Sequence, residues 1–251
     1  MTQLTINSRT VTARKSESLL AVARREGFDI PALCHHEAVE PFGACRLCLV
    51  EITKASWNGF TKLVTSCLYP AEEGLVVQTD SPRVRRARSE VLELLIARSP
   101  RAAVLRELGR KYGIEAPKYQ VDDAGDNCIL CGLCTRVCQA HVTSAISTTK
   151  RGVEKAVGTP FGEQSDTCVG CLSCAQVCPT GAIAFEQTPK SRTIWGKTFA
   201  LVACPSCGAG TVPAEYAQWL ASRTGQAREE LALCDACKAR KTADTYDRIA
   251  W

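Results

Sequence analysis

The sequence predicts an α+β protein made of four small modules, and three observations predict it. All sixteen cysteines of the 251-residue chain fall into four groups of four, spread from Cys34 to Cys237. Short alternating apolar runs before residue 80 give way to helical periodicity between 81 and 118. An internal repeat follows, in which CILCGLCTRVC at Cys128 is answered forty residues later by CVGCLSCAQVC at Cys168. The modules so defined are 1–80, 81–123, 124–188 and 189–251. Aromatic content is 6%, so each core is modest and bound metal is expected to carry part of the folding free energy.

In the first module, Thr2 to Asn7 and Thr10 to Ala13 alternate about a polar turn at Asn7-Ser8-Arg9, which predicts a hairpin. Ser16 is placed to cap a helix over Glu17 to Glu26, with Gly27 ending it. Leu47 to Ile52, Lys62 to Ser66 and Leu75 to Thr79 read as further strands. Two strands, a helix, a cysteine loop and more strands predict a β-grasp arrangement.

The second module is a helical connector. Ser81 is a natural N-cap with Pro82 at the first helical position, and Val84, Ala87, Val91, Leu94 and Leu95 recur at helical spacing. A second helix is expected over Arg101 to Lys111, ended by Gly113. Arg83, Arg85, Arg86 and Arg88 read as the solvated face. In the third module each half of the repeat offers a cysteine loop, a short helix and a strand, implying pseudo-twofold symmetry. The span from Thr148 to Gln164, with Gly152, Gly158, Pro160 and Gly162, reads as an extended loop or hairpin.

The cysteine groups carry the chemistry. Cys34, Cys45 and Cys48 share one loop, and Cys67 follows from a strand region. Four thiolates converging from a loop made slim by Gly43 and Ala44 suit a [2Fe-2S] cluster, with zinc as the alternative. His35 and His36 adjoin Cys34 but read as loop residues. The second and third groups each form CxxCxxCxxxC, the run of bacterial two-cluster ferredoxins, in which the fourth cysteine ligates the opposite cluster. The expected [4Fe-4S] sets are Cys128, Cys131, Cys134 with Cys178, and Cys168, Cys171, Cys174 with Cys138. Gly132 and Gly170 leave room for the loops to wrap. Cys178 precedes Pro179, but Cys138 precedes Gln139, whose backbone N–H is expected near a cluster sulfur, so that Gln139→Pro should lower one midpoint potential. The fourth group, Cys204 and Cys207 with Cys234 and Cys237, suits a four-thiolate site holding zinc or a further iron-sulfur cluster, with free thiols as the remaining reading.

From residue 1 to about 188 this order of modules resembles the iron-sulfur region at the N-terminus of the large subunit of NADH dehydrogenase (respiratory complex I), of iron-only hydrogenases and of the diaphorase part of NAD-linked hydrogenases. Members of that family carry a histidine and three cysteines for an additional [4Fe-4S] cluster. Residues 68–127 here contain neither Cys nor His, so that cluster is not expected. The resemblance implies a non-catalytic electron-transfer subunit of a multi-subunit NAD(P)-linked oxidoreductase. It would relay electrons between a flavin/NAD(H)-binding subunit and a terminal redox catalytic subunit, either hydrogenase, formate dehydrogenase or an electron-bifurcating complex, or a soluble ferredoxin. A hetero-oligomer follows, with Trp195, Trp219 and Trp251 as apolar residues available for assembly. A metal-dependent regulatory or assembly protein and a free polyferredoxin are the competing readings.

Several classes are excluded. No signal-peptide core follows MTQLTINSRTVTARK and no apolar run approaches a membrane span, which predicts a cytoplasmic chain with reduced thiols rather than a disulfide framework. The formal charge of +5 counts cysteines as neutral. Four thiolate-metal sites at about −2 each bring it to about −3, so the basic balance is no sign of nucleic acid. GxGxxG and GxxxxGK[ST] are absent, and three histidines offer little for hydrolytic catalysis.

Overall fold

Asn7 and Ser8 both adopt left-handed backbone, φ 46° and 70°, as a two-residue hairpin turn of right-handed twist demands. Strand β1 (Thr2–Ile6) therefore folds directly onto β2 (Arg9–Ala13), with Leu4 opposite Val11. The computed structural model describes residues 1–122, 125 and 127–249, without the side chains of 247–249. Ala124, the expected start of the third module, and Trp251 lie outside the described residues.

Helix α1 covers Leu19–Arg25, two residues shorter at its start than the sequence suggests. Ser18 is the cap, its hydroxyl accepting from the Ala21 N–H, while Ser16 sits in the preceding turn at φ 63°. Gly27 at φ 80° ends the segment as expected. Strands β3 (Leu49–Lys54), β4 (Lys62–Thr65) and β5 (Leu75–Gln78) complete a five-stranded sheet of order β2-β1-β5-β3-β4, with β1 and β5 parallel. Leu19, Leu20, Val22 and Ala23 of α1 join Leu4, Ile6, Val50, Ile52, Leu75 and Val77 in one core. Each large aliphatic side chain so buried contributes about 1.5–3 kcal/mol.

Ser81 caps α2 (Pro82–Arg98) by accepting from the Val84 N–H, with Pro82 at the first helical position as the sequence predicts. Helix α3 (Ala103–Lys111) follows and the chain turns away at Gly113, φ 71°. Arg88 corrects the sequence reading, because it is only 2% exposed. It lies four residues from Val84 and four from Leu92, on the stripe of α2 that faces β3, and all three are buried. Its Nε and Nη2 donate to the Leu49 carbonyl at 3.1 and 2.6 Å and its Nη1 to Tyr112 Oη at 3.2 Å. A cation at a core position thus ties helix to strand, whereas Arg83, Arg85 and Arg86 are exposed.

The cysteine repeat is unequal in structure. Helix α4 (Leu133–His141) runs for nine residues, through Cys138 and Gln139. After the hairpin β6 (Ser147–Thr149) and β7 (Ala156–Gly158), the second helix α5 (Ser173–Gln176) has only four. The residue before a proline disfavours helical backbone, so Cys178-Pro179 stops α5 where Cys138-Gln139 lets α4 continue. This also corrects the expected role of Gln139: inside α4 its N–H belongs to the helical ladder, not to a neighbouring sulfur.

Strand β8 (Phe185–Gln187) pairs with β9 (Ser191–Ile194), which turns through Trp195 and Gly196 into β10 (Lys197–Ala203). Strand β11 (Gly210–Pro213) completes a sheet of order β11-β10-β9-β8 that runs without a break across the expected boundary at 188. Helices α6 (Ala214–Thr224), α7 (Arg228–Leu231) and α8 (Asp235–Ile249) follow. Two compact units result, one of 1–136 with 177–182, the other of 137–176 with 183 onward. Among the described residues no helix is long and apolar enough to cross a membrane.

Candidate metal centres

All sixteen cysteines are unbridged. Cys34 and Cys45 form one close pair, with the Cys45 N–H donating to Cys34 Sγ at 3.4 Å. Cys48 and Cys67 form the other, their sulfurs 3.3 Å apart. Two thiolates on one iron at about 2.3 Å stand about 3.8 Å apart, so two such pairs match two irons. Gly43 at φ 71° lets the loop close, since a Cβ there would meet the Leu68 side chain at 2.5 Å. Hydrogen bonding from Cys45, and then the N–H groups of Cys45 and Ala44, draw the Cys34 thiol down to about 6. Cys48 is drawn down to about 6 by Cys67 and Ser66, while Cys45 and Cys67 are pushed up by their charged partners and by burial. Both histidines engage Nδ1 elsewhere: His35 Nδ1 meets Arg24 at 3.3 Å, and His36 Nδ1 accepts from the Ala38 N–H at 3.1 Å.

The second set lies in the same unit. Burial pushes the Cys131 thiol up to about 11, opposed by the Leu133 N–H and reinforced by the like charges of Cys178 and Cys128. Residues 177–182, with Cys178, pack into the same compact unit as the loop of Cys128, Cys131 and Cys134, although Cys178 is 47 positions from Cys131 in sequence. Leu130 and Gly132, at φ 52° and 71°, bend the loop so that backbone N–H groups face sulfur, as the Leu130 N–H does toward Cys128 Sγ at 3.4 Å. The Ala182 N–H donates to Cys178 Sγ at 3.3 Å.

Between these two sets stands Arg136, which the sequence reading passed over. Its Nη2 donates to the Cys34 carbonyl at 2.8 Å, its Nη1 to the Glu40 carbonyl at 2.6 Å and its Nε to the Gly132 carbonyl at 3.2 Å. The guanidinium lies 5.3 Å from the Phe42 ring centroid, and Phe42 also faces Gly132. Cys131 is close enough to Cys34 to feel its charge. An arginine inside the Cys134–Cys138 CxxxC step was the available signal.

The third set occupies the other unit. Cys138, Cys168, Cys171 and Cys174, with Ile194 and Trp195, line one pocket. Four thiols from two separate segments converge on this one pocket, as the ligands of a single cluster must. Burial pushes Cys174 up to about 11, opposed by the Trp195 indole and reinforced by Cys171, Cys138 and Cys168. Trp195 Nε1 is itself buried and makes no hydrogen bond. It faces the Cys174 thiol, whose charged form it favours, and so stands among the four cysteine sulfurs. A group carrying further sulfur would meet it, so the residues fit an iron-sulfur cluster.

The fourth set converges tightest, with the sulfurs of Cys204, Cys207, Cys234 and Cys237 all within 4.8 Å of one another. Cys204 and Cys207 lie on the loop between β10 and β11, and Cys237 lies in the first turn of α8. The N–H groups of Cys234, Ser206 and Cys207 draw Cys204 down to about 6. Cys207, favoured by the Ala209 N–H, is nevertheless pushed up to about 11 by the three neighbouring sulfurs. Four sulfurs at near-contact surround room for one tetrahedral ion, whose edges are about 3.8 Å.

Comparison with known proteins places residues 1–82 in the 2Fe-2S iron-sulfur cluster binding domain family and residues 127–182 in the 4Fe-4S dicluster domain family. An NADH-quinone oxidoreductase subunit of Rhizobium meliloti is 29% identical over 89% of this chain and 29% of that protein. The HndD subunit of the NADP-reducing hydrogenase of Solidesulfovibrio fructosivorans is 31% identical over 74% of this chain and 36% of that protein. The chain thus spans roughly a third of the curated relatives it matches. A chain in the crystal structure of NAD+-reducing [NiFe]-hydrogenase in the H2-reduced state superposes with TM-score 0.61 at 26% identity, covering 72% of this chain and 85% of that one. With a two-iron domain ahead of a dicluster domain, the chain belongs to the iron-sulfur family that includes these subunits of NADH-quinone oxidoreductase and NADP-reducing hydrogenase.

Proposed function

We propose that this chain is the electron-relay subunit of a hetero-oligomeric NAD(P)-linked oxidoreductase. In this reading 1–80 is a β-grasp [2Fe-2S] domain and 81–123 a helical connector, while 124–188 carries the two [4Fe-4S] clusters and 189–251 the zinc site, the last two sharing one sheet across residue 188. Cys34, Cys45, Cys48 and Cys67 hold the [2Fe-2S] cluster. Cys128, Cys131, Cys134 and Cys178 hold one [4Fe-4S] cluster, and Cys138, Cys168, Cys171 and Cys174 the other. The carrying observation is the crossed arrangement: Cys178 packs in the unit of the first cysteine loop, and Cys138 lines one pocket with Cys168, Cys171 and Cys174, although each belongs to the other half of the repeat. Cys204, Cys207, Cys234 and Cys237 hold zinc, as their near-contact sulfurs favour one ion over a cluster.

Bound clusters supply one-electron steps without making or breaking substrate bonds. The chain's own residues fix thiolates, turn backbone N–H groups toward sulfur and exclude water. Arg136 joins the Cys34 and Gly132 carbonyls, a short covalent and hydrogen-bonded route between two cysteine loops. Electrons would enter from a flavin/NAD(H) subunit and leave to a terminal catalytic subunit or a ferredoxin, in the cytoplasm.

The test is anaerobic isolation of the chain together with its native partners. NADH or NADPH should bleach the visible absorption of the clusters and raise their paramagnetic signals only while a flavoprotein accompanies the chain. Clusters that reduce with dithionite but stay oxidised with both nucleotides in the intact complex would remove the proposed role.

A further inference from the structure

The turn between β9 and β10 places a bulky residue where one is rarely found. Ile194 pairs with Lys197, leaving a two-residue loop of Trp195 at φ 54° and Gly196 at φ 73°. Left-handed backbone is strained for a large aromatic, and this strain aims the indole into the cavity of the third cysteine set. The same hairpin grips the cysteine loop at three other points. Arg192 Nη1 donates to the Gly170 carbonyl at 2.8 Å. Lys197 Nζ donates to the carbonyls of Ser165, Asp166 and Cys168 at 3.3, 3.4 and 3.1 Å. Phe199 packs so closely on Gly170 that a Cβ there would stand 2.7 Å from its ring. The hairpin lies beyond residue 182, where the dicluster family match ends.

We propose that Trp195 donates its indole N–H to a sulfur of the [4Fe-4S] cluster held by Cys138, Cys168, Cys171 and Cys174, and that the β9–β10 hairpin thereby raises that cluster's reduction potential. Reduction adds negative charge to the site. A buried indole N–H set among the cysteine sulfurs, and two cations fastened to the surrounding loop, stabilise the reduced form more than the oxidised one. The hairpin is a positioning and tuning element, and this inference rests on the cluster reading above.

Trp195→Phe retains a ring and deletes the donor. Titration of the anaerobic holoprotein, followed by electron paramagnetic resonance, should show one [4Fe-4S] midpoint displaced to lower potential and the other clusters unmoved. The expected size is about a tenfold fall in the reduced-to-oxidised ratio at fixed poise, or ~59 mV for one electron. Should the variant lose the cluster, wild-type protein labelled with indole-15N tryptophan decides, because the reduced cluster must then show a nitrogen hyperfine coupling. Unchanged midpoints in a cluster-replete Trp195→Phe, or no nitrogen coupling in the labelled protein, overturn the tuning role. Absence of any four-iron signal in the wild type would instead overturn the cluster assignment itself.

Discussion

Arg136 is where single-residue chemistry matters most for the relay. Its guanidinium directs three nitrogens to the carbonyls of Cys34, Glu40 and Gly132, so one side chain fastens two cysteine loops. Arg136→Met keeps the stem and removes these charge-assisted bonds, which predicts a loss of about 1.5–3 kcal/mol in thermal denaturation of the holoprotein. It should also lower the [2Fe-2S] midpoint in voltammetry, since a cation beside Cys34 favours the more negative, reduced site. An unshifted midpoint would detach Arg136 from the cluster's electrostatics. Arginines also mark the limit of reading by residue type. Arg83, Arg85, Arg86 and Arg88 form one charge run, yet only tertiary placement against Leu49 and Tyr112 distinguishes the buried Arg88 from its solvated neighbours. The cysteines were legible because thiolate spacing is itself the chemistry. Trp195 was not, because a lone aromatic declares its burial only when a fold surrounds it.

At the scale of elements, local signals that name their own geometry were readable. Asn7-Ser8 made the first hairpin, and Ser81-Pro82 began α2 at the expected residue. Ser81→Ala should lower stability by about 1 kcal/mol through the lost cap, measured as a drop in the thermal midpoint. The loss should exceed that of an exposed cap, because Ser81 also donates to Glu51 Oε2 at 2.6 Å. An unaltered midpoint would mean that α2 is held by packing alone. Less readable was the β9–β10 hairpin, whose Trp-Gly turn lacks the usual Asn-Gly or Asp-Gly signal. The unequal lengths of α4 and α5 were written in Gln139 and Pro179, but as a helix-stopping rule and not as a contact to sulfur.

Across the whole molecule, metal and fold are expected to be one system. Helices α7 and α8 are largely exposed, and the end of the chain is tied to β10 and β11 through four converging thiols. A zinc chelator applied anaerobically should therefore deprotect residues 204–249 in hydrogen exchange while the visible absorption of the clusters persists. Bleaching in step with zinc release would contradict two independent metal systems. The central claim is that twelve cysteines hold iron-sulfur clusters and four hold one zinc. Metal and acid-labile sulfide analysis of anaerobically purified protein tests it most directly. The account predicts about ten iron, about ten sulfide and about one zinc per chain. A folded, colourless chain containing only zinc, or one with about fourteen iron and no zinc, would contradict it.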